Sequence, residues 1–77
     1  MRNPIFGDVA ASMFICGDDA EAKAAVAQLS DDLGFATQDA GTLSVARLLE
    51  PLAMLWIHLA YQRGWGTDFG FGVLRRA

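Results

Sequence analysis

The sequence predicts a small α/β protein built on one βαβ unit over residues 12–39. Residues 12–16 form a short apolar run closed by a glycine, which is typical of a strand covered on both faces. The next residues repeat apolar side chains every three or four positions, which indicates a helix. Residues 35–39 predict a second strand, and a strand–helix–strand order makes the two strands parallel.

The helix between the strands has recognisable start and stop signals. Asp18 is expected to cap it by accepting a backbone N–H bond, while Glu21 reaches back to the cap. This role, rather than a catalytic carboxylate pair, accounts for Asp18 and Asp19. Gly34 is expected to end the helix in the left-handed conformation. The expected core stripe is Ala22, Val26, Leu29 and Leu33, with Lys23 turned away.

The second half of the chain predicts a kinked helix over residues 42–63 that is apolar nearly all round. Pro51 lacks the N–H that would bond back to Arg47. We therefore expect a short helix, a kink and a second helix from about Glu50.

Two irregular segments flank these elements. Residues 1–11 contain turn-forming residues with little periodicity and predict an entry loop. Residues 64–77 form a glycine-rich tail in which Phe69, Phe71 and Val73 occupy every second position with glycine between them. That alternation favours a short final strand.

Apolar residues make up 53% of the 77-residue chain, above the roughly 45–50% of soluble domains. A chain of this size buries only about 60% of its unfolded surface. Because monomers seldom expose large apolar patches, we expect a homo-oligomer or a missing amino-terminal Rossmann domain to cover the surplus. The expected interface residues are Leu52, Leu55, Trp56 and Leu59.

The composition also argues against several classes of protein. A net charge of −3 lacks the basic footprint of a nucleic-acid-binding protein. The single cysteine, Cys16, excludes an intrachain disulfide and a thiolate metal cage, and no other metal-ligand spacing occurs. Residues 51–61, the longest uncharged apolar run, fall short of a membrane span, and no signal peptide is recognised. We expect a cytoplasmic protein without metal or membrane.

No catalytic residue is predicted. His58, the only histidine, has no serine or cysteine partner at triad spacing. Arg47 either pairs with Glu50 across a helical turn or supplies a charge to a ligand or interface. Residues 64–66 (GWG) follow a helix rather than a strand, so they are not a Rossmann phosphate turn.

A likeness to a known family rests on five runs, which are FICGDDAEAK (14–23), DLGF (32–35), DAGTL (39–43), AR (46–47) and LEPL (49–52). In this order they resemble the carboxy-terminal part of the NADPH-dependent deazaflavin reductase family and its dinucleotide-binding relatives. The likeness covers nearly the whole chain after Ser12. It implies a remnant of a Rossmann-type oxidoreductase that lacks its dinucleotide-binding half.

The resemblance also implies a function and a site. The chain would be the substrate side of an enzyme that transfers hydride between NADP(H) and a second ring cofactor or substrate, inactive and without cofactor by itself. Pro51, Ala53 and Phe69 would pack against that ring. Deazaflavin-binding members carry small hydroxyl residues where this chain has Pro51 and Ala53, so another ring substrate is an alternative. The alternative function is a non-catalytic self-association module derived from such an enzyme.

Overall fold

A computed structural model describes residues 3–76 as a mixed α/β protein with two small sheets and two α-helices. Its elements are β1 (Ile5–Phe6), β2 (Val9–Ala10), β3 (Ser12–Ile15), α1 (Ala20–Asp32), β4 (Ala36–Asp39), a 3₁₀ turn (Leu43–Val45), α2 (Ala46–Ile57) and a π turn (His58–Gln62). Met1 and Arg2 of the predicted entry loop, and Ala77 of the predicted tail, lie outside the described residues.

The predicted βαβ unit is confirmed. Strands β3 and β4 pair in parallel, with Ser12 opposite Ala36 and Ile15 opposite Asp39. Ile15 is buried and Met13, two residues earlier on the same face of the strand, is exposed, while Ser12 and Phe14 on the other face are half-buried. Each face of β3 is therefore only partly covered, which is less than the apolar run predicts.

Helix α1 begins one residue later than expected. Asp19, not Asp18, is the cap: its Oδ1 accepts from the backbone N–H of Glu21 at 2.9 Å and of Ala22 at 3.2 Å. Asp18 Oδ1 instead accepts from the backbone N–H of Leu43 at 2.9 Å. The carboxylate of Asp18, which the local spacing predicts as the helix cap, therefore bonds to the distant turn at Leu43 instead. The end of the helix agrees with the prediction, since Gly34 follows it with φ +95°.

Helix α1 also faces the sheet with a different side from the one predicted. Lys23, Ala27 and Ser30 turn inward, whereas the expected core residues Ala22, Val26, Leu29 and Leu33 are exposed. Polar contacts decide this orientation. Thr37 Oγ1 of β4 donates to Asp31 Oδ1 at 2.6 Å and lies 2.8 Å from Ser30 Oγ.

The predicted entry loop contains a β-hairpin. Strands β1 and β2 are antiparallel, with Ile5 opposite Ala10 and Phe6 opposite Val9. Gly7 takes a φ of +64° in the two-residue turn, as short hairpin turns require. The strands have only two residues each, too few for an alternating pattern to be recognised.

Helix α2 runs without a break through Pro51, so the predicted division into two helices, the second starting near Glu50, is wrong. The proline leaves the carbonyl of Arg47 without its helical partner. Both residues are exposed, and water can satisfy that carbonyl. The irregularity comes later, in the π turn, where the N–H of Arg63 bonds to the carbonyl of His58 at 3.0 Å.

The tail forms no strand over residues 64–76, contrary to the prediction. The backbone N–H of Ser12 donates to the carbonyl of Phe71 at 2.7 Å, which is one rung of a ladder. The next rung is lost because the N–H of Val73 donates to the hydroxyl of Ser12, at 3.1 Å, rather than to a carbonyl. The tail is therefore fixed beside β3 without becoming part of the sheet.

The chain exposes more surface than a compact monomer of its size. Its accessible surface is 5860 Å², whereas a monomer of this mass exposes about 4,600 Å². Its radius of gyration is 13.2 Å, against about 11.5 Å for a compact domain of this length. Among the described residues the buried apolar side chains are only Ala11, Ile15 and Ala60. The apolar surplus lies on the surface.

Substitution of Gly34 tests the junction between α1 and β4. Gly34→Ala should lower the free energy of unfolding by about 1–2 kcal/mol, because a side chain is unfavourable at positive φ. The added Cβ would also lie 3.2 Å from Pro4 Cγ. Urea denaturation measures the change.

Gly17→Ala is the matched control, because its Cβ meets no atom within 4 Å and its φ is not positive. It should change stability by less than about 0.5 kcal/mol. Equal losses in the two variants would contradict the assignment of strain to Gly34.

Candidate binding groove

An open apolar groove of about 180 Å³ lies between β3, α2 and the tail. Strand β3 contributes Met13 and Phe14, helix α2 contributes Ala53 and Trp56, and the tail contributes Phe71. The groove forms because helix positions separated by three or four residues share the face that turns toward the strand. Its walls offer apolar contact rather than acid–base chemistry.

Phe69 is the centre of an aromatic cluster behind the groove. Its ring stacks on Trp56 with centroids 4.9 Å apart, and the rings of Trp65 and Phe71 meet it edge-on at 5.5 Å and 6.2 Å. The indole N–H of Trp56 donates to the backbone carbonyl of Phe69 at 3.0 Å. These contacts hold the tail against α2 and shape one wall of the groove.

The structure brings together two of the three residues that the resemblance assigned to ring packing. Ala53 lines the groove and Phe69 stacks on the neighbouring Trp56. Pro51 is exposed and does not line the groove. Two residues of separation turn a helix by about 200°, so Pro51 and Ala53 point to opposite sides.

The predicted interface residues also divide between two sides of α2. Leu52 and Trp56 line the groove, and Leu59 is half-buried. Leu55 is 47% exposed on the solvent side. One helix therefore presents an apolar side to the groove and further apolar side chains to solvent.

Arg47 and Glu50 do not pair. Both are exposed, and Lys23–Asp39 is the one ion pair among residues 3–76. His58 is exposed too, and its side chain makes no hydrogen bond in the described part of the chain. These charged and titratable groups remain open to a partner.

The carboxyl ends of β3 and β4 are closed by their own hydrogen bonds. Lys23 Nζ lies 3.1 Å from Asp39 Oδ2 and 3.4 Å from the carbonyl of Gly41. The pKa of Asp39 is lowered, first because its carboxylate accepts a hydrogen bond from the backbone N–H of Gly41, and second because it accepts one from Lys23. Asp18 and Asp19 lie close by at the start of α1, where they line a shallow pocket together with Lys23.

A metal site is not formed by the described residues, which contain no group of three histidine, cysteine or carboxylate side chains close enough to share an ion. Comparison of the chain with protein-family models, curated proteins and solved structures gives no match. The likeness to the deazaflavin reductases therefore stays a prediction.

The 3₁₀ turn, α2 and the π turn make one helical stretch, Leu43–Gln62, of 20 residues. By length and composition this stretch could cross a membrane, and its mean hydropathy is 1.3. It is longer than the apolar run of residues 51–61 because the helix continues on both sides of that run. Arg47 and Glu50 lie in the amino-terminal half of the stretch, and 6% of its apolar window is buried within the chain.

Replacing Phe69 tests the aromatic cluster. Phe69→Ala should lower the free energy of unfolding by about 2 kcal/mol, roughly half the cost at a fully buried site, because Phe69 is half-buried. It should also reduce the near-ultraviolet circular dichroism that Trp56 contributes.

Leu74→Ala, in the same tail, is the control because Leu74 is 89% exposed. It should leave stability within about 0.5 kcal/mol. A Phe69→Ala variant as stable as the wild type would show that the tail is not held by this stack.

Proposed function

We propose that the chain is a non-catalytic self-association module, and that the solvent side of α2 is its contact surface. The observation that carries the proposal is the excess of exposed surface. The chain exposes 5860 Å², roughly 1,300 Å² more than a compact monomer of its mass. A stable dimer of standard size buries about 800 Å² on each partner.

The size of the groove supports the same function. Its volume is about 180 Å³, below the roughly 300 Å³ at which small-molecule pockets begin. A groove of this size is too small to enclose a whole cofactor, which favours a non-catalytic function. In this proposal the module acts in the cytoplasm, and it needs neither nucleic acid nor a membrane.

Light scattering coupled to size exclusion tests self-association. The wild type should have a mass about twice the 8.3 kDa of one chain at micromolar concentrations. Leu55→Lys should shift the protein toward monomer, because a buried unpaired charge at an interface is costly. A wild type that stays monomeric across the concentration range would overturn the proposed function.

Leu29→Lys on α1 is the matched control, since Leu29 is 61% exposed and lies on the other helix. It should leave the mass unchanged. Dissociation by Leu29→Lys instead of Leu55→Lys would move the contact surface to α1.

A second candidate function is the substrate side of an NADP-dependent oxidoreductase. Ala53 and Trp56 line an apolar groove beside Phe69, in the region where the resemblance places a ring. Hydride transfer between two rings requires proximity and exclusion of water rather than an acid or base from the protein. In this proposal a separate Rossmann domain supplies NADP, and a deazaflavin or another ring substrate lies on the groove.

Riboflavin, as a flat tricyclic probe, tests this second function. In a Trp65→Phe background, riboflavin should quench the fluorescence of Trp56 saturably, and Ala53→Leu should abolish the quenching by filling the groove. Ala25→Leu, at an exposed position of α1, should not. Absence of saturable quenching would exclude the groove as a ring site, and micromolar NADPH binding by the chain alone would contradict the assignment of NADP to another domain.

A further inference from the structure

Five exposed residues on the solvent side of α2 and the π turn are spaced symmetrically. They are Arg47, Glu50, Met54, His58 and Tyr61, and their separations of 3, 4, 4 and 3 residues read the same in both directions. Met54, at the centre, is 60% exposed, and Tyr61, at one end, is 67% exposed. We call these five residues the symmetric face.

The symmetric face is distinct from the side of α2 that packs within the chain. Separations of three and four residues place Arg47, Glu50, Met54 and His58 in one row along α2 and the first residue of the π turn, and Tyr61 follows later in that turn. Leu49, Leu52 and Trp56 are half-buried and line the groove, which lies on the other side of the helix. The symmetric face is therefore available to a second molecule.

The order of charges along this face matches an antiparallel copy of itself. In two antiparallel helices related by a two-fold axis through Met54, Glu50 faces the partner's His58 and Arg47 faces the partner's Tyr61. The first pair joins a carboxylate to an imidazole, and the second places a guanidinium beside an aromatic ring. A parallel pair would instead set Arg47 against Arg47 and Glu50 against Glu50, which repel each other.

The charged groups of the face have no competing partners within the chain. Neither Arg47 nor Glu50 forms an ion pair, and the side chain of His58 makes no hydrogen bond, among residues 3–76. Two exposed leucines, Leu48 and Leu55, lie along one side of the row and would add apolar contact beside it. Interfaces related by a two-fold axis require this kind of self-complementary surface.

We propose that two copies of this chain form an antiparallel, two-fold symmetric dimer through the symmetric face, with Met54 on the axis. The arrangement rests on the proposed self-association and specifies its geometry. The helices cross at their midpoints at the usual separation of about 8–10 Å. Each of the two contacts, Glu50 with His58 and Arg47 with Tyr61, then occurs twice, with one member from each subunit.

Disulfide trapping tests the position of the axis. In a Cys16→Ser background, Met54→Cys should form a covalent dimer under mild oxidation, because the two copies of position 54 face each other. Leu48→Cys is the control on the same helix. Its two copies lie 12 residues apart along the paired helices, about 18 Å, so it should cross-link at least tenfold more slowly.

Exchange of the paired charges tests the contacts themselves. His58→Glu alone should raise the dimer Kd at least tenfold, as measured by analytical ultracentrifugation, because it sets two carboxylates against each other. Glu50→Lys alone should also raise the Kd, because it removes the carboxylate that bonds to the partner's imidazole. The double variant creates a Lys–Glu pair at the same place and should bring the Kd back to within about threefold of the wild type. A purely structural role would not give this rescue.

The outcomes separate this arrangement from the proposed function. Two results would overturn the antiparallel arrangement while leaving self-association standing, provided that the wild type is a dimer. One is a double variant that does not recover the wild-type Kd, and the other is a Met54→Cys variant that cross-links no faster than the Leu48→Cys variant. A monomeric wild type overturns both. Rescue together with fast trapping at position 54 supports both.

Discussion

The tail holds helix α2 and strand β3 together, because it lies between them and bonds to each. On the helix side, Phe69 stacks on Trp56 and its carbonyl accepts from the indole N–H. On the strand side, the carbonyl of Phe71 accepts from the N–H of Ser12. A stretch of three residues thus joins the apolar helix to the βαβ unit, and the groove exists only because this bridge is in place.

Helix α1 shows why the fold leaves so much apolar surface uncovered. It contacts the sheet through polar groups, Lys23 to Asp39 and Thr37 to Asp31, which fix its rotation about its own axis. With that rotation fixed, Val26 and Leu29 must face solvent. Helix α2 has a similar arrangement, since one side serves the groove and the other remains open. Two partly covered helices on a two-stranded sheet cannot enclose a large core.

Local signals in the sequence predicted the parts of the fold that depend on local chemistry. The parallel strands and the glycine after α1 follow from short apolar runs and from positive φ. The predictions failed where distant residues decide the outcome: Asp18 is taken by Leu43, 25 residues away, and α1 is oriented by Thr37. The exposure of Pro51, which allows the helix to continue, also cannot be predicted from the sequence.

The groove was only partly predictable for the same reason. The family likeness predicts Ala53 and Phe69 as site residues, and both lie at or beside the groove. The contacts of Ser12 with the tail leave no periodic signal, because the bond between Ser12 and Val73 spans 61 residues. The signal in the sequence that marks this region is the alternation of aromatic residues with glycine in the tail, although alternation of this kind also predicts a strand.

The length of the bridge in sequence has a consequence for folding. The bond between Ser12 and Val73 joins residues 61 positions apart, and contacts between residues so far apart in sequence form slowly during folding. Until the tail docks, the leucines of helix α2 that face the strand stay uncovered, and transiently exposed apolar surface of this kind favours aggregation.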